Sequence, residues 1–208
     1  MNRELLCSVV VVSVAAVSMA CSSDGVAPGG AAGSAGGGSA GGAHIPGQAN
    51  LTLMVQPANQ GSCPVPGKTY VLGDPKGPNS VMPGDRLIDG QRGATITCSV
   101  LGSGPYSFSG SIRGTSSEGD QVTLTLSDGV VNADKQTGSA TLSVHTPQLA
   151  GSFVSAAGSC TVSVIGDNVK PGSLWATVNC PSIADASSGK ACSVGPSSTF
   201  VLENCDGA

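Results

Sequence analysis

Apolar and polar residues alternate one by one along most of the chain after residue 48. In residues 94–100, alanine, isoleucine, cysteine and valine take every second position, and threonine and serine take the positions between them. The same alternation recurs in five further segments: 106–113, 121–126, 139–145, 160–164 and 174–180. Because successive side chains of a strand point to opposite faces, this period of two predicts antiparallel strands with one buried face and one hydrated face rich in serine and threonine.

Residues typical of turns separate these segments. They are Pro83-Gly84-Asp85, Asp89-Gly90, Asp128-Gly129 and Pro171-Gly172. No segment shows helical periodicity, and the region has room for about nine or ten short strands. The pattern therefore predicts an all-β domain over residues 48–208, an antiparallel β-sandwich or barrel.

The amino-acid composition indicates the compartment of this domain and the partners that it is not expected to bind. The chain carries eight cysteines in 208 residues and a formal net charge of −4, without a basic stripe. A nucleic-acid partner is therefore not expected. No C-x-x-C is present, and neither His44 nor His145 is near a cysteine in the sequence, which disfavours a zinc site. Disulfides formed in an oxidising compartment are the better explanation of the cysteines.

The first twenty residues predict a signal peptide. Arg3 and the free amine provide positive charge, and an almost wholly apolar run of 13 residues follows from Leu5 to Val17. Such a run is too short for a membrane-spanning helix, which needs about 20 apolar residues. It has the length of the apolar region of a secretory signal.

The end of this signal, S-M-A-C from Ser18 to Cys21, resembles the lipobox of bacterial lipoproteins, although Ser18 stands where that family usually has leucine. The resemblance implies cleavage before Cys21, a diacylglycerol on its thiol and an acyl chain such as palmitate on its amine. Ordinary secretion is the alternative, since Ser18 and Ala20 also fit a small-x-small cleavage site. It would leave seven cysteines, whereas lipidation of Cys21 leaves six, an even number that can pair. By analogy with the sorting of bacterial lipoproteins, the resemblance and Ser22 after the cysteine imply the outer membrane and not the inner membrane.

Residues 21–47 are predicted to form a lipidated cysteine followed by a flexible linker of glycine, serine and alanine. Its mean reach would be roughly 28 Å, enough to hold the domain clear of a lipid surface. The stretch Gly37–Gly41 matches the G-x-S-x-G pattern of hydrolase nucleophiles, but that motif needs a strand before it and a helix after it. We interpret the match as accidental.

The six remaining cysteines are Cys63, Cys98, Cys160, Cys180, Cys192 and Cys205. If residues 160–165 and 174–180 form a hairpin in which Cys160 faces Cys180, valine or alanine faces valine at each inward position in between. A register shifted by one residue would place apolar residues opposite polar ones. This predicts a Cys160–Cys180 disulfide. Nearest-neighbour pairing then suggests Cys63–Cys98 and Cys192–Cys205, although six cysteines allow other connectivities.

The last third of the domain resembles lipoproteins that are abundant in myxobacteria. The resemblance is carried by S-L-W-A-T-V-N-C-P from Ser173 and by T-F-V-L-E-N-C from Thr199, together with the glycine-rich linker. It covers most of residues 50–206 in outline, and it implies a location and a fold but no particular chemistry.

Few residues are candidates for a functional site. His145 is the one histidine of the domain, and its alternation with serine and threonine indicates a solvated strand residue. Trp175 shares a face with polar residues and is the candidate ligand-binding residue, with packing under a neighbouring loop as the alternative. Aspartate and asparagine side chains in turns could bind calcium through their oxygens, but their spacing fits no calcium loop and is typical of turn residues. They are Asp85 with Asp89, and Asp128 with Asn132 and Asp134.

These observations predict a membrane-anchored protein, periplasmic or on the cell surface, with a non-catalytic binding or structural β domain. An envelope protein or a polysaccharide is the expected partner, and no cofactor or metal is expected. A glycan-binding adhesion module centred on Trp175 is the first alternative. A secreted hydrolase is the second, disfavoured because residues of catalytic type are sparse.

Overall fold

The computed structural model describes residues 45–59, 62–65, 67–73 and 86–206. The predicted signal peptide, Cys21, His44, the Gly37–Gly41 motif and the Pro83-Gly84-Asp85 turn lie outside the described residues. The described part contains no helix long and apolar enough to cross a membrane.

Eleven strands account for most of the described residues, which confirms the all-β class. They are β1 (Gln48–Pro57), β2 (Lys68–Leu72), β3 (Leu87–Ile88), β4 (Thr95–Gly102), β5 (Tyr106–Thr115), β6 (Gln121–Val131), β7 (Thr137–Thr146), β8 (Gly151–Ser155), β9 (Cys160–Lys170), β10 (Ser173–Ala184) and β11 (Ala191–Glu203). The helical element among them is a 3₁₀ turn, Pro147–Leu149. Each of the six alternating segments coincides with a strand.

All the strand pairs are antiparallel and belong to one strongly curled sheet. Its order is β2-β1-β11-β10-β8-β7-β6-β5-β4, with β3 paired to β1 beside β2. Strand β9 pairs with both β10 and β7, and so does β8. The four strands β7, β8, β10 and β9 therefore pair in a closed cycle, in which β8 and β9 lie end to end between β7 and β10.

The apolar faces of these strands meet in one core. Its largest fully buried side chains are Tyr70, Phe153, Phe200, Leu51, Leu53, Leu72, Ile112, Leu124, Leu126, Leu142, Leu149 and Leu174. The rings of Phe108 and Phe200 stack with centroids 6.1 Å apart. Serine and threonine at the alternate positions of β4 to β7 lie on the outer face, as the pattern predicts.

The hairpin of β9 and β10 has the predicted register. Val162 pairs with Val178 and Val164 with Ala176, and Cys160 is bonded to Cys180 with 4.2 Å between their Cα atoms. The turn is shorter than predicted, because both strands continue as far as Pro171-Gly172. Asp167, at a φ of 57°, lies instead in an irregular stretch within β9.

The other two predicted disulfides are wrong, because the structure joins Cys63 to Cys192 and Cys98 to Cys205. Strand β1 ends at Pro57, which pairs with Cys192 in β11, so the segment that leaves β1 brings Cys63 to that strand. Beyond β11 the chain returns to β4, where Ser99 bridges to Asp206 and Cys98 meets Cys205. Pairing by nearness in the sequence failed because the sheet brings distant segments together.

The Asp128-Gly129 pair is also not a turn between strands. Both residues lie inside β6, in a bulge between Ser127 and Val130. Asp128 adopts a φ of 51°, which aspartate tolerates better than most residues. At Gly129 a Cβ atom would lie 2.5 Å from the ring of Phe108. Glycine is therefore required here by the close packing of an aromatic ring.

Candidate functional site

The described surface contains a cleft of about 680 Å³. We call it the arginine cleft. Its apolar wall is made of Val71, Leu87, Ile88 and Ala94, and its polar groups come from Arg86, Gln91, Arg92, Thr115, Ser116 and Ser117. It lies between β2, β3, the β3–β4 turn and the connection from β5 to β6. Its volume is within the usual range for small-molecule sites.

A tight turn after β3 sets one rim of the arginine cleft. Gly90, Arg92 and Gly93 all have positive φ angles, of 76°, 50° and 74°. Backbone hydrogen bonds hold the turn, including those donated by Gly90 N to Ala94 O, at 3.1 Å, and by Ala94 N to Gln91 O, at 2.8 Å. Asp89 anchors it by accepting a hydrogen bond from Ile96 N at 2.8 Å. The turn therefore fixes the backbone that carries Gln91 and Arg92.

Arg86 at another edge of the cleft is held by a bidentate ion pair. Its Nε donates to Glu203 Oε2 at 2.7 Å, and its Nη2 donates to Glu203 Oε1 at 3.1 Å. The guanidinium also lies over the indole of Trp175, 5.3 Å from the ring centroid. The Arg86 side chain is only 3% exposed. Its charge is therefore balanced by Glu203.

Trp175 lies on the outer face, as its position in β10 predicts, and is partly exposed. Its Nε1 donates to Glu203 Oε1 at 2.8 Å. Its neighbour in β11, Val201, is buried although it lies on the same outer face. Trp175, Arg86 and Glu203 thus form a small cluster outside the main core. Ligand binding by Trp175 stays a prediction. Its indole N–H already donates to Glu203, and one face of its ring is already covered by Arg86.

A second polar cluster joins the edge strand β2 to the β5–β6 connection and to the 3₁₀ turn after β7. Lys68 Nζ lies 2.6 Å from Asp120 Oδ2 and 3.4 Å from Glu118 Oε2. Gln148 Nε2 donates to the other oxygen of Asp120, and Tyr70 Oη lies 3.4 Å from Gln148 Oε1. The hydrogen bonds from Lys68 and Gln148 lower the pKa of Asp120, and the bond to Asp120 raises the pKa of Lys68. These shifts come from an ion pair that fastens β2.

Replacing Asp120 by asparagine is expected to destabilise the protein at neutral pH and to have no such effect in acid. Because the folded-state pKa of Asp120 is lowered, its carboxylate stabilises the fold above the unfolded-state pKa, and this contribution is lost as the pH falls through the folded value. Because the pKa of Lys68 is raised in the folded state, the stabilisation of the fold by its ammonium group is lost only when the pH rises through the folded-state pKa. Urea midpoints of the wild type and Asp120→Asn should differ at pH 7 and converge well below about pH 4.

Asp134→Asn is the matched control for this prediction. Its carboxylate lies on an exposed turn and accepts a hydrogen bond from the backbone N–H of Gln136, at 3.0 Å, which an asparagine oxygen can also accept. We expect its urea midpoint to follow the wild type at every pH. A difference between wild type and Asp120→Asn that persists unchanged in strong acid would show that the ion pair does not stabilise β2.

Of the other described candidates from the sequence, Asp89 lies in the turn at the rim of the arginine cleft, and the rest do not line the cleft. His145 is exposed on β7, and its Nδ1 lies 3.0 Å from Gly151 O. Asp128, Asn132 and Asp134 are exposed at the β6–β7 end, and Asp89 is engaged by the β3–β4 turn. Among the described residues, no three side chains of the histidine, cysteine, aspartate or glutamate type are close enough to hold a metal ion.

Sequence reasoning missed the residues that define the cleft. Arg86 and Arg92 are separated from Thr115–Ser117 by more than twenty positions, and the closure of the sheet brings them together. One local signal was available, since Arg92 follows Gly90 closely and precedes Gly93, a spacing typical of turns with positive φ angles. The polar groups assembled here are guanidinium groups, hydroxyls and an amide, which suit the binding of an anionic or polyhydroxylated ligand.

No family model, no curated protein and no solved structure matches the chain.

Proposed function

We propose that this chain is a lipid-anchored outer-membrane protein whose disulfide-stapled β domain is a non-catalytic binding module. The observation that supports the lipid anchor is the pairing of the domain cysteines. Three disulfides use all six cysteines from Cys63 to Cys205, so Cys21 has no partner within the domain. Together with the S-M-A-C sequence, this supports lipid attachment at Cys21.

The binding role is supported by the arginine cleft. Hydrogen-bond donors and apolar side chains face one space there, and the bridge between Glu203 and Arg86 fixes one of its edges. Such a combination of apolar wall and a few polar groups is typical of ligand sites. The partner class that we propose is an envelope polysaccharide or an envelope protein, with no cofactor. The resemblance to glycine-linker lipoproteins of myxobacteria supports the proposed location and fold and implies no particular chemistry.

Replacing Cys21 by alanine tests the anchor. We expect the variant to leave the membrane fraction and appear in the soluble fraction, because two or three acyl chains are what would hold the protein to the bilayer. Its urea midpoint should equal that of the wild type, since the first strand begins at Gln48, far along the chain from Cys21. Cell fractionation followed by immunoblotting gives the result. A variant that stays with the membrane would contradict the anchor.

The same soluble variant tests whether the domain binds without catalysis. Purified envelope polysaccharide should retain it in a saturable manner and release no soluble sugar during long incubation. The release of new reducing ends by this protein would contradict the non-catalytic role and favour a hydrolase. Trp175→Phe serves as a comparison, because it removes the hydrogen bond to Glu203 and keeps an aromatic ring. Loss of retention in this variant alone would favour the glycan module centred on Trp175.

A further inference from the structure

We propose that the arginine cleft binds an acidic sugar unit that carries a carboxylate, and that Arg92 receives this carboxylate. This inference rests on the proposed role of the domain as a binding module and names the class of ligand. It follows from three properties of the cleft: its charge, the backbone conformation of Arg92 and the mixture of side chains around it.

Among the described residues of the cleft, Arg92 is the cation without a carboxylate partner. Arg86 is paired with both oxygens of Glu203, whereas no carboxylate of the described residues forms an ion pair with Arg92. None of the described residues that line the cleft is acidic. A guanidinium group can hold a carboxylate or a sulfate through two parallel hydrogen bonds. The cleft therefore presents one exposed cation to an anionic ligand.

The backbone of Arg92 is held in a left-handed conformation by the turn after β3. A φ of 50° is unfavourable for a residue with a Cβ atom, and the neighbouring left-handed positions are occupied by glycine. Glycine would satisfy the turn at position 92 as well, at a lower conformational cost. Residues held in such a conformation are often found at functional sites. The turn therefore holds Arg92 in one backbone conformation at the rim of the cleft.

The remaining side chains of the cleft fit a sugar ring. Gln91 and the hydroxyl groups of Thr115 and Ser117 can exchange hydrogen bonds with sugar hydroxyls. Leu87 and Ile88 offer apolar surface to the C–H face of the ring. The volume of about 680 Å³ is large enough for one or two sugar units.

Nuclear magnetic resonance titration of the mature, full-length protein in detergent micelles tests the proposal. The probes are glucuronate, inorganic sulfate and, as the neutral comparison, glucose. We expect glucuronate to shift the amide signals of residues 91–94 and Ser117 in a saturable manner, sulfate to shift them more weakly, and glucose to have no saturable effect. Added salt should weaken the binding of both anions.

Two variants give the decisive comparison. Arg92→Gly removes the cation and favours the turn, so it should unfold at the same or a higher urea concentration while binding glucuronate at least about tenfold more weakly. Arg113→Gln removes an exposed arginine on the outer face of β5 that does not line the cleft. It should bind glucuronate within about twofold of the wild type.

The proposal is overturned if glucuronate causes no saturable shift, if glucose binds as well as glucuronate, or if the two variants lose affinity equally. Binding of sulfate without glucuronate would also overturn it, because the sugar class would then be wrong. These failures differ from failure of the anchor. Intact lipid on Cys21 with no glucuronate binding rejects the ligand class alone, and binding without lipid rejects the anchor alone.

Discussion

Replacing Cys98 and Cys205 together by alanine is expected to lower the free energy of unfolding by about 5 kcal/mol. The two cysteines are separated by 107 residues, so their bridge removes a large amount of entropy from the unfolded chain. Beside the bridge, Val100 N donates to Asp206 O at 3.1 Å, and Asp206 N donates to Cys98 O at 3.0 Å. The bridge therefore also fastens the chain after β11 to strand β4.

The matched comparison is the double replacement of Cys160 and Cys180. These residues are separated by only 20 positions and lie in one hairpin, so we expect a smaller loss of about 3 kcal/mol. Urea unfolding followed by far-ultraviolet circular dichroism gives both values. A larger loss for the hairpin pair would show that local packing, and not closure of a long loop, dominates the contribution of these disulfides.

Replacing Phe200 by alanine is expected to cost about 3–5 kcal/mol of unfolding free energy. Phe200 is fully buried in β11, where Leu51 and Ala176 are its partners in the flanking strands. Its ring also stacks on Phe108. The chain contains few aromatic residues, and 3% of its residues are phenylalanine, tyrosine or tryptophan, so loss of this ring leaves a cavity that few large neighbours can fill.

Thr199→Val is the control for the Phe200 variant. Thr199 is the next residue of the same strand and points to the outer face, and valine keeps the branched shape that strands favour. We expect its free energy of unfolding to change by less than about 0.5 kcal/mol. A cost below about 1.5 kcal/mol for Phe200→Ala, measured in the same urea titrations, would mean that the core does not depend on this ring.

The strands and one register could be predicted from the sequence because they depend on local pattern. Alternation has a period of two wherever one face is buried, and a shift by one residue would reverse every side chain. That argument places Val162 opposite Val178, and the structure agrees. The bulge at Asp128-Gly129 was misjudged because residues that favour turns also favour bulges, and only the ring of Phe108 distinguishes the two.

The long-range features could not be predicted in the same way. Cys63 meets Cys192 because β1 pairs with β11, and the order of strands in a sheet is not encoded in local periodicity. The same reason explains why the ion pair of Arg86 with Glu203, 117 positions apart, was missed. The arginine cleft has residues from β2, β3 and β5, so its existence depends on the curling of the whole sheet.

The pairing of the cysteines connects the fold to the proposed location. A free cysteine in the domain could form a disulfide with Cys21, and such a disulfide would compete with lipid attachment. With all six paired, none of them is left to pair with Cys21, which agrees with the lipid attachment that we propose there. The domain would then be displayed from a lipid anchor with its arginine cleft open to envelope polysaccharides.

Mass spectrometry of the N-terminal peptide of the mature protein, purified from the membrane fraction, tests this account most directly. We predict a peptide that begins at Cys21 and carries a diacylglycerol on the thiol and an acyl chain on the amine. A mature peptide that begins at Cys21 with an unmodified thiol would contradict the account, and so would a disulfide between Cys21 and any cysteine of the domain.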